Sequence, residues 1–272
     1  MGRQYSLAQL TVLGCAPPEM TYIAARAGYD YVSYRLIYMG LPGEPNYALD
    51  QNKEMYQQTK KAISDTGVKL LDMELARINA EVEPKRYLPA MEIAAELGGK
   101  HVLSSVWADE WDFSVQAFRE LCDLAKGFDL TVDLEYVPIS SLKNLADTVE
   151  FLKEVDRDNA GLMIDTHHFH RAKDQVSELA KVPKEWFRYL HLCDASGDIP
   201  DTIEEMTRVL REERLYLGEG GINIQEIVRQ LPNIPCSIEL PHVARAKEMG
   251  YAEHAARCLE SSKRYFSKYE LG

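Results

Sequence analysis

The stretch Thr131-Val132-Asp133-Leu134-Glu135 reads as a buried strand that ends in a carboxylate. Three later stretches end in the same manner. Gly161-Leu162-Met163-Ile164-Asp165 closes on Asp165, with His168 three residues beyond. Arg188-Tyr189-Leu190-His191-Leu192-Cys193-Asp194 carries His191. Pro235-Cys236-Ser237-Ile238-Glu239 closes on Glu239. Four successive strands thus bring Glu, Asp, His and Glu to one end of a sheet.

What precedes these strands sets the fold. A helical stretch, a glycine and a short apolar strand recur: Ala24-Ala25-Arg26-Ala27-Gly28 before Tyr29, Ser64-Asp65-Thr66-Gly67 before Val68, Glu96-Leu97-Gly98 before His101, and Ala125-Lys126-Gly127 before Leu130. A glycine just past a helix takes up the left-handed cap geometry that a Cβ disfavours. Short, near-continuous apolar strands are those of a parallel sheet covered on both faces. The pattern predicts eight strands, at Leu7–Leu13, Tyr29–Arg35, Lys69–Glu74, His101–Ser105, Leu130–Glu135, Gly161–Asp165, Arg188–Cys193 and Cys236–Leu240. Helices follow at Pro18–Ala27, Gln51–Thr66, Pro84–Leu97, Asp112–Lys126, Leu145–Glu154, Gln175–Leu179, Gln225–Leu231 and Tyr251–Tyr269. Eight such units in 272 residues point to a single α/β domain over residues 1–272, a (β/α)8 TIM barrel. An open doubly wound sheet is the runner-up, but no G-x-G-x-x-G follows the first strand, so a dinucleotide fold has no support. One segment breaks the cadence. Residues 195–217 insert a loop and a short helix after the seventh strand, on the side where barrel active sites are built. It reads as a lid or wall over that face, or as a surface excursion.

Composition narrows the function. Hydrophobic residues make up 46% and charged residues 27%, ordinary for a globular chain. No apolar run approaches a membrane span, and the start lacks a signal-peptide core. Five scattered cysteines without a C-x-x-C pair fit reduced thiols, so a cytoplasmic protein is expected. The formal charge of −12, with no basic run, argues against a nucleic-acid partner.

In a barrel the strand ends surround one mouth, so Glu135, Asp165, His191 and Glu239 can converge on a divalent ion. Each alone can equally be a salt-bridge partner or a helix cap; the conjunction on four consecutive strands is what points to a metal. A charge closing a buried strand needs compensation, which an ion supplies. Three carboxylates with one imidazole and no thiolate favour Mn²⁺, with Mg²⁺ or Co²⁺ as alternatives, over structural zinc.

The order Glu135, Asp165-x-x-His168, His191-x-x-Asp194, Gly218-Glu219-Gly220 and Glu239 resembles the xylose isomerase-like barrel superfamily. That group includes sugar epimerases of the tagatose 3-epimerase type, inosose dehydratases, 3-dehydroshikimate dehydratases and, more distantly, endonuclease IV. The resemblance implies Glu135, Asp165, His191 and Glu239 as metal ligands, with Glu135 and Glu239 also moving the substrate proton through an enediolate. It implies a keto-sugar or cyclitol substrate, and a homodimer formed through the outer helices. His168 is then either a hydrogen-bond donor to a substrate oxygen or a group that orients the ligands. Arg35, Glu74 and, more weakly, Arg77 line the substrate cleft or form a salt bridge at the barrel rim. Trp107 and Trp111 wall the pocket or pack beneath a loop, whereas His101 sits at a strand start, on the stability face. His167 and His170 are neighbours without chemistry.

There is a departure. The epimerases place an arginine shortly after the strand-seven histidine, where this chain has Gly197; Arg208, Arg211 or Arg214 in the inserted segment are the candidate replacements. The isomerase or epimerase reading therefore stands beside a lyase reading, in which the same acidified carbon expels a β-hydroxyl from a hydroxy-ketone. A nuclease is set aside by the charge.

Overall fold

Residues 2–40 and 43–272 are described by a computed structural model of the protein; Met1, Leu41 and Pro42 lie outside the described residues. Eight strands close into a parallel barrel in sequence order. They are β1 (Tyr5–Ala8), β2 (Tyr31–Arg35), β3 (Lys69–Ile78), β4 (His101–Val106), β5 (Thr131–Glu135), β6 (Ala160–Asp165), β7 (Leu190–Leu192) and β8 (Cys236–Ile238). The barrel shuts where Tyr5 and Leu7 of β1 register with Cys236 and Ile238 of β8. The outer helices are α1 (Pro17–Ala27), α2 (Lys53–Thr66), α3 (Leu88–Glu96), α4 (Trp111–Lys126), α5 (Leu145–Val155), α6 (Thr166–Arg171) and α7 (Val176–Leu179). The remainder are α8 (Ile203–Glu212), α9 (Ile224–Gln230), α10 (Val243–Met249) and α11 (Tyr251–Lys268). None is long and apolar enough to cross a membrane.

Local chemistry sets several of the boundaries. Asn52 and Asn144 accept the backbone N–H of Met55 and Asp147, each at 3.0 Å, and so start α2 and α5. Gly28 and Gly67 end α1 and α2 in the left-handed region. Thr202 starts α8 in the inserted segment by accepting from Glu205 N at 3.2 Å.

The elements differ from expectation at several places, and β7 and β8 are shorter than the expected strands. β1 runs only from Tyr5 to Ala8, and Gln9–Val12 forms a 3₁₀ turn. The side chains of Gln9 and Thr11 bond backbone carbonyls of Cys15 and Ile238 rather than extending the ladder. β3 continues to Ile78 through two register shifts, one against β2 and one against β4. A shift of this kind lets a strand turn an additional side chain inward; Asp72 and Glu74 both end fully buried. The Glu74–Leu75 peptide is cis. Finally, two extra helices, α6 and α10, precede α7 and α11.

Most of the apolar core lies between strands and helices, a layer that includes Val32, Phe118, Val132, Phe151 and Leu162. A second cluster of Leu71, Leu75, Leu103, Met163 and Tyr189 is separate from it. Polar residues tie strands together near the start of the barrel. Asp133 holds Arg188 at 2.8 Å and His101 at 3.3 Å, as a structural group does at that face. Gly161 is required there, because a Cβ would overlap both Asp133 and Arg188.

Candidate metal centre

Glu135 ends β5, Asp165 ends β6, His191 is the middle residue of β7 and Glu239 directly follows β8. All four are buried. One ligand atom from each lies within 4.8 Å of the others. Two ligands bound at about 2.1 Å to one ion stand at most about 4.2 Å apart, so small side-chain shifts bring the set into one coordination shell.

Paired threonines hold two of these strand ends. The Thr11 hydroxyl donates to Ile238 O at 2.7 Å and accepts from Leu240 N at 2.8 Å, fixing the backbone on either side of Glu239. The Thr166 hydroxyl does the same at β7, donating to Cys193 O at 2.8 Å and accepting from Cys193 N at 3.1 Å. Asp165 uses one oxygen to cap α6, accepting from His167 N at 2.7 Å, and leaves the other facing the centre.

Three features fit the set to a divalent cation. His191 is fully buried, and neither ring nitrogen has a hydrogen-bond partner among the described residues. Glu135 Oε1 is likewise unpartnered. Unsatisfied buried groups of this kind are costly and rare unless they serve a ligand. The imidazole Nδ1 stands 3.4 Å from Glu135 Oε1 and 3.5 Å from Glu239 Oε2, so the three donors converge.

Arg214 is the buried counter-charge. Its Nη1 donates to Asp165 Oδ2 at 2.7 Å and to Glu239 O at 3.0 Å, and Nη2 lies 3.1 Å from Glu239 Oε2. Of the three candidate arginines in the inserted segment, this is the one that reaches the carboxylates. Arg208 pairs with Glu213 at the surface, and Arg211 lines the cavity above. Burial pushes the Glu239 carboxyl up, but the charges of His191 and Arg214 outweigh it and hold the group well below the usual carboxylate range.

The remaining expected residues fall around a cavity of about 760 Å³ at this end of the barrel. His168 lines it, with Nε2 3.6 Å from Asp165 Oδ2 and 3.8 Å from Glu135 Oε1, so it touches both the ligand set and the space above. Arg35 lines it too, between Glu44 at 3.6 Å and Glu74 at 3.7 Å. Arg77 lines it with its guanidinium 4.6 Å from the centroid of Trp107. Glu74 sits deeper, with an oxygen in a second group formed with Asp72 and His191. Burial raises Glu74 to about 8, opposed by Arg35, and raises Asp72 to about 6. Trp111 is not among the lining residues; its indole donates to Glu154 on the outer surface. From the inserted segment, Leu210, Arg211, Glu212 and Arg214 form part of the wall.

Two groups in this region carry structure that sequence reading left without a role. Asp72 accepts from the Ser33 hydroxyl, which is also bonded to Ser6 at 2.9 Å and Ser237 at 3.2 Å, making a polar layer within the barrel. Asp194 clasps the loop after the insertion, accepting from Gly218 N and Gly220 N at 3.0 Å each and from Ile222 N at 3.2 Å. A Cβ on Gly220 would overlap Ala195 O and the Asp194 carboxylate, which explains the glycine.

The profile described as xylose isomerase-like TIM barrel matches residues 22–262. The chain belongs to this family. Among curated xylose isomerase-like relatives it is 24% identical to the inosose isomerase of Bacillus subtilis (strain 168) over 173 residues, which is 60% of this chain and 55% of that protein. It is 23% identical to the L-ribulose 3-epimerase of Methylomonas sp. (strain DH-1) over 232 residues, 78% of this chain and 72% of that one. The matches to inosose isomerases span only 39% to 55% of those proteins' own length. The solved structure of the IolI protein with a binding zinc atom superposes with a TM-score of 0.80 at 20% identity, covering 98% of this chain and 99% of that one. At that identity the likeness shows the fold alone, a (β/α)8 barrel.

Proposed function

We propose that this chain is a divalent-metal-dependent isomerase or epimerase of a keto sugar or cyclitol. The observation that carries the reading is the convergence of Glu135, Asp165, His191 and Glu239, with unpartnered buried donors, at the floor of a cavity. Relatives named inosose isomerase and L-ribulose 3-epimerase support the substrate class.

Glu135, Asp165, His191 and Glu239 would hold the ion. Manganese is the ion proposed, since oxygen donors with a single imidazole suit it, with magnesium or cobalt next. When bound, the ion would polarise a carbonyl and acidify the adjacent C–H. Glu135 and Glu239 come from β5 and β8, and both line the cavity. One takes the proton from the carbon and the other returns it, general base and general acid in turn. Against its burial, the neighbouring charges of His191 and Arg214 favour the carboxylate form of Glu239, the form a base requires. His168 hydrogen-bonds a substrate oxygen from its place beside Glu135 and Asp165. Segment 195–217 acts as the wall that keeps bulk water from the transfer.

The test is proton NMR in D₂O on the Mn²⁺-loaded protein with ketohexoses, inososes and 3-dehydroshikimate, the ion being removed before detection. Deuterium entering next to the carbonyl with the product's skeleton and oxygens retained is the expected result. Loss of water with new vinyl signals would replace the isomerase reading with the lyase one. No exchange with any of them would remove the proposed substrate class.

A further inference from the structure

We propose that Arg35, Arg77 and Arg211 form an anion subsite that selects substrates bearing an oxyacid group, a carboxylate or a phosphate monoester, over neutral polyols. The proposal deepens the functional reading above and rests on it for the nature of the rest of the substrate.

The three guanidinium groups come from separate parts of the chain. Arg35 ends β2, Arg77 lies near the end of β3, and Arg211 is in the last turn of α8. All three line the cavity that contains Glu135 and Glu239. Arg35 is only 8% exposed, and among the described residues neither its Nε nor that of Arg77 has a hydrogen-bond partner. Stacking on Trp107 occupies the face of the Arg77 guanidinium and leaves its N–H edge for an acceptor. Trp107 is itself fixed, donating from Nε1 to Ser105 at 2.9 Å.

Charge points the same way. Arg35 stands 3.6 Å from Glu44 and 3.7 Å from Glu74, longer than the roughly 2.7–2.9 Å of a charge-assisted hydrogen bond. Among the described residues, no carboxylate comes within 4.0 Å of Arg77 or Arg211. Glu44 and Glu74 both stand beside Arg35, and Glu212, which shares the lining, pairs with neither Arg77 nor Arg211 among the described residues, so those two guanidinium groups face the cavity without a close carboxylate. At the floor of the cavity, Glu135, Asp165 and Glu239 would be matched by Arg214 together with the divalent ion of the functional reading. Burial, followed by the neighbouring charges of Arg35 and Arg211, lowers the pKa of Arg77, the direction expected of an undercompensated cation. An incoming oxyanion relieves that repulsion.

The surroundings favour such an anion over further hydroxyls. Leu10, Leu75, Leu103 and Ile139 share the lining. They offer a polyol no hydrogen bonds, while the low dielectric they create strengthens an Arg–oxyanion contact. The subsite is also close to the reacting centre. Glu74 touches Arg35 at 3.7 Å, and one of its oxygens is within 4.8 Å of a His191 nitrogen. One side chain thus separates the two subsites, a span that a short carbon skeleton covers.

Calorimetric titration of the Mn²⁺-loaded chain with sorbitol, gluconate and sorbitol 6-phosphate tests this. We expect at least one anionic probe to bind roughly tenfold or more tightly than sorbitol, as one charge-assisted contact implies. The preference should shrink in 0.5 M salt, on the order expected for a half-exposed pair. It should collapse in Arg77→Met and, separately, in Arg211→Met, where the half-buried side chain can be lost without harm to the fold. The tighter of the two anions identifies carboxylate or phosphate as the group read. Equal binding of all three probes, failure of both anions to bind, or a preference that survives either substitution would overturn the proposal; the last would mean that the ion itself reads the anion. Failure of the functional reading is a separate result, seen as absent deuterium exchange with the anion preference intact.

Discussion

Replacing Arg214 by methionine removes the one cation that Asp165 and Glu239 share. Arg214 is fully buried, with Nη1 2.7 Å from Asp165 Oδ2 and Nη2 3.1 Å from Glu239 Oε2. Its Nε also donates to Leu210 O at 2.9 Å, tying α8 to the centre. Taking one partner from a buried ion pair costs about 3–5 kcal/mol, because the other charge is left uncompensated. Here two carboxylates lose their partner, so the upper part of that range applies. For a chain of this size the loss corresponds to a drop in melting temperature of roughly 10 °C. Urea unfolding of the EDTA-treated protein, followed by the fluorescence of Trp107, Trp111 and Trp186, measures it. A divalent ion replaces the missing charge, so Mn²⁺ should stabilise Arg214→Met by more than it stabilises the wild type. Saturation at a hundredfold over Kd gives about 2.7 kcal/mol from mass action alone. Arg214→Lys should fall between the two, since a single ammonium cannot span both carboxylates. A metal-free Arg214→Met protein that unfolds at the wild-type midpoint would refute the electrostatic role given to this residue.

Two further outcomes are expected. Glu74 is raised to about 8 in the folded state from an ordinary value of 4.5. The folded chain therefore keeps a proton that the unfolded chain releases, and metal-free stability should fall as pH rises from about 4.5 to about 8, by on the order of a few kcal/mol. Glu74→Gln should flatten that slope; an unchanged slope would exclude Glu74 as its source. Gly220→Ala should lower the unfolding free energy by about 1–3 kcal/mol through overlap with Ala195 and Asp194, which thermal melting would register; a wild-type melting curve would contradict the close approach.

The barrel was legible because the chain repeats one local solution. A helix ends on glycine, and a short apolar strand follows, as at Gly28, Gly67 and Gly98. The sequence pattern was weakest where side chains do something other than alternate. The Leu7–Leu13 stretch looks apolar throughout, yet Gln9 and Thr11 turn it into a 3₁₀ turn by bonding distant backbone. The two register shifts of β3 cannot be seen in a list of residues, so the strand was read four residues short and Asp72 went unremarked. At the site, the strand-end positions of Glu135, Asp165 and Glu239 are a matter of local order and could be read directly. The choice among Arg208, Arg211 and Arg214 could not. Their even spacing says nothing about which one the loop returns to the barrel, and only the clasp of Asp194 on Gly218, Gly220 and Ile222 shows how the segment closes. Trp107 and Trp111, four residues apart, separate for a similar reason: one stacks on Arg77 in the cavity, and the other starts α4 on the outside.

The most direct measurement is calorimetric titration of EDTA-stripped protein with Mn²⁺, for the wild type and for Glu239→Gln. One ion per chain is expected in the wild type. Affinity in Glu239→Gln should be weaker by at least the roughly 10–100-fold that loss of a mere supporting partner costs, with the metal-free fold retained by circular dichroism. Equal Mn²⁺ affinity in the two proteins, or no saturable site in the wild type, would contradict the assignment of Glu135, Asp165, His191 and Glu239 as a metal centre.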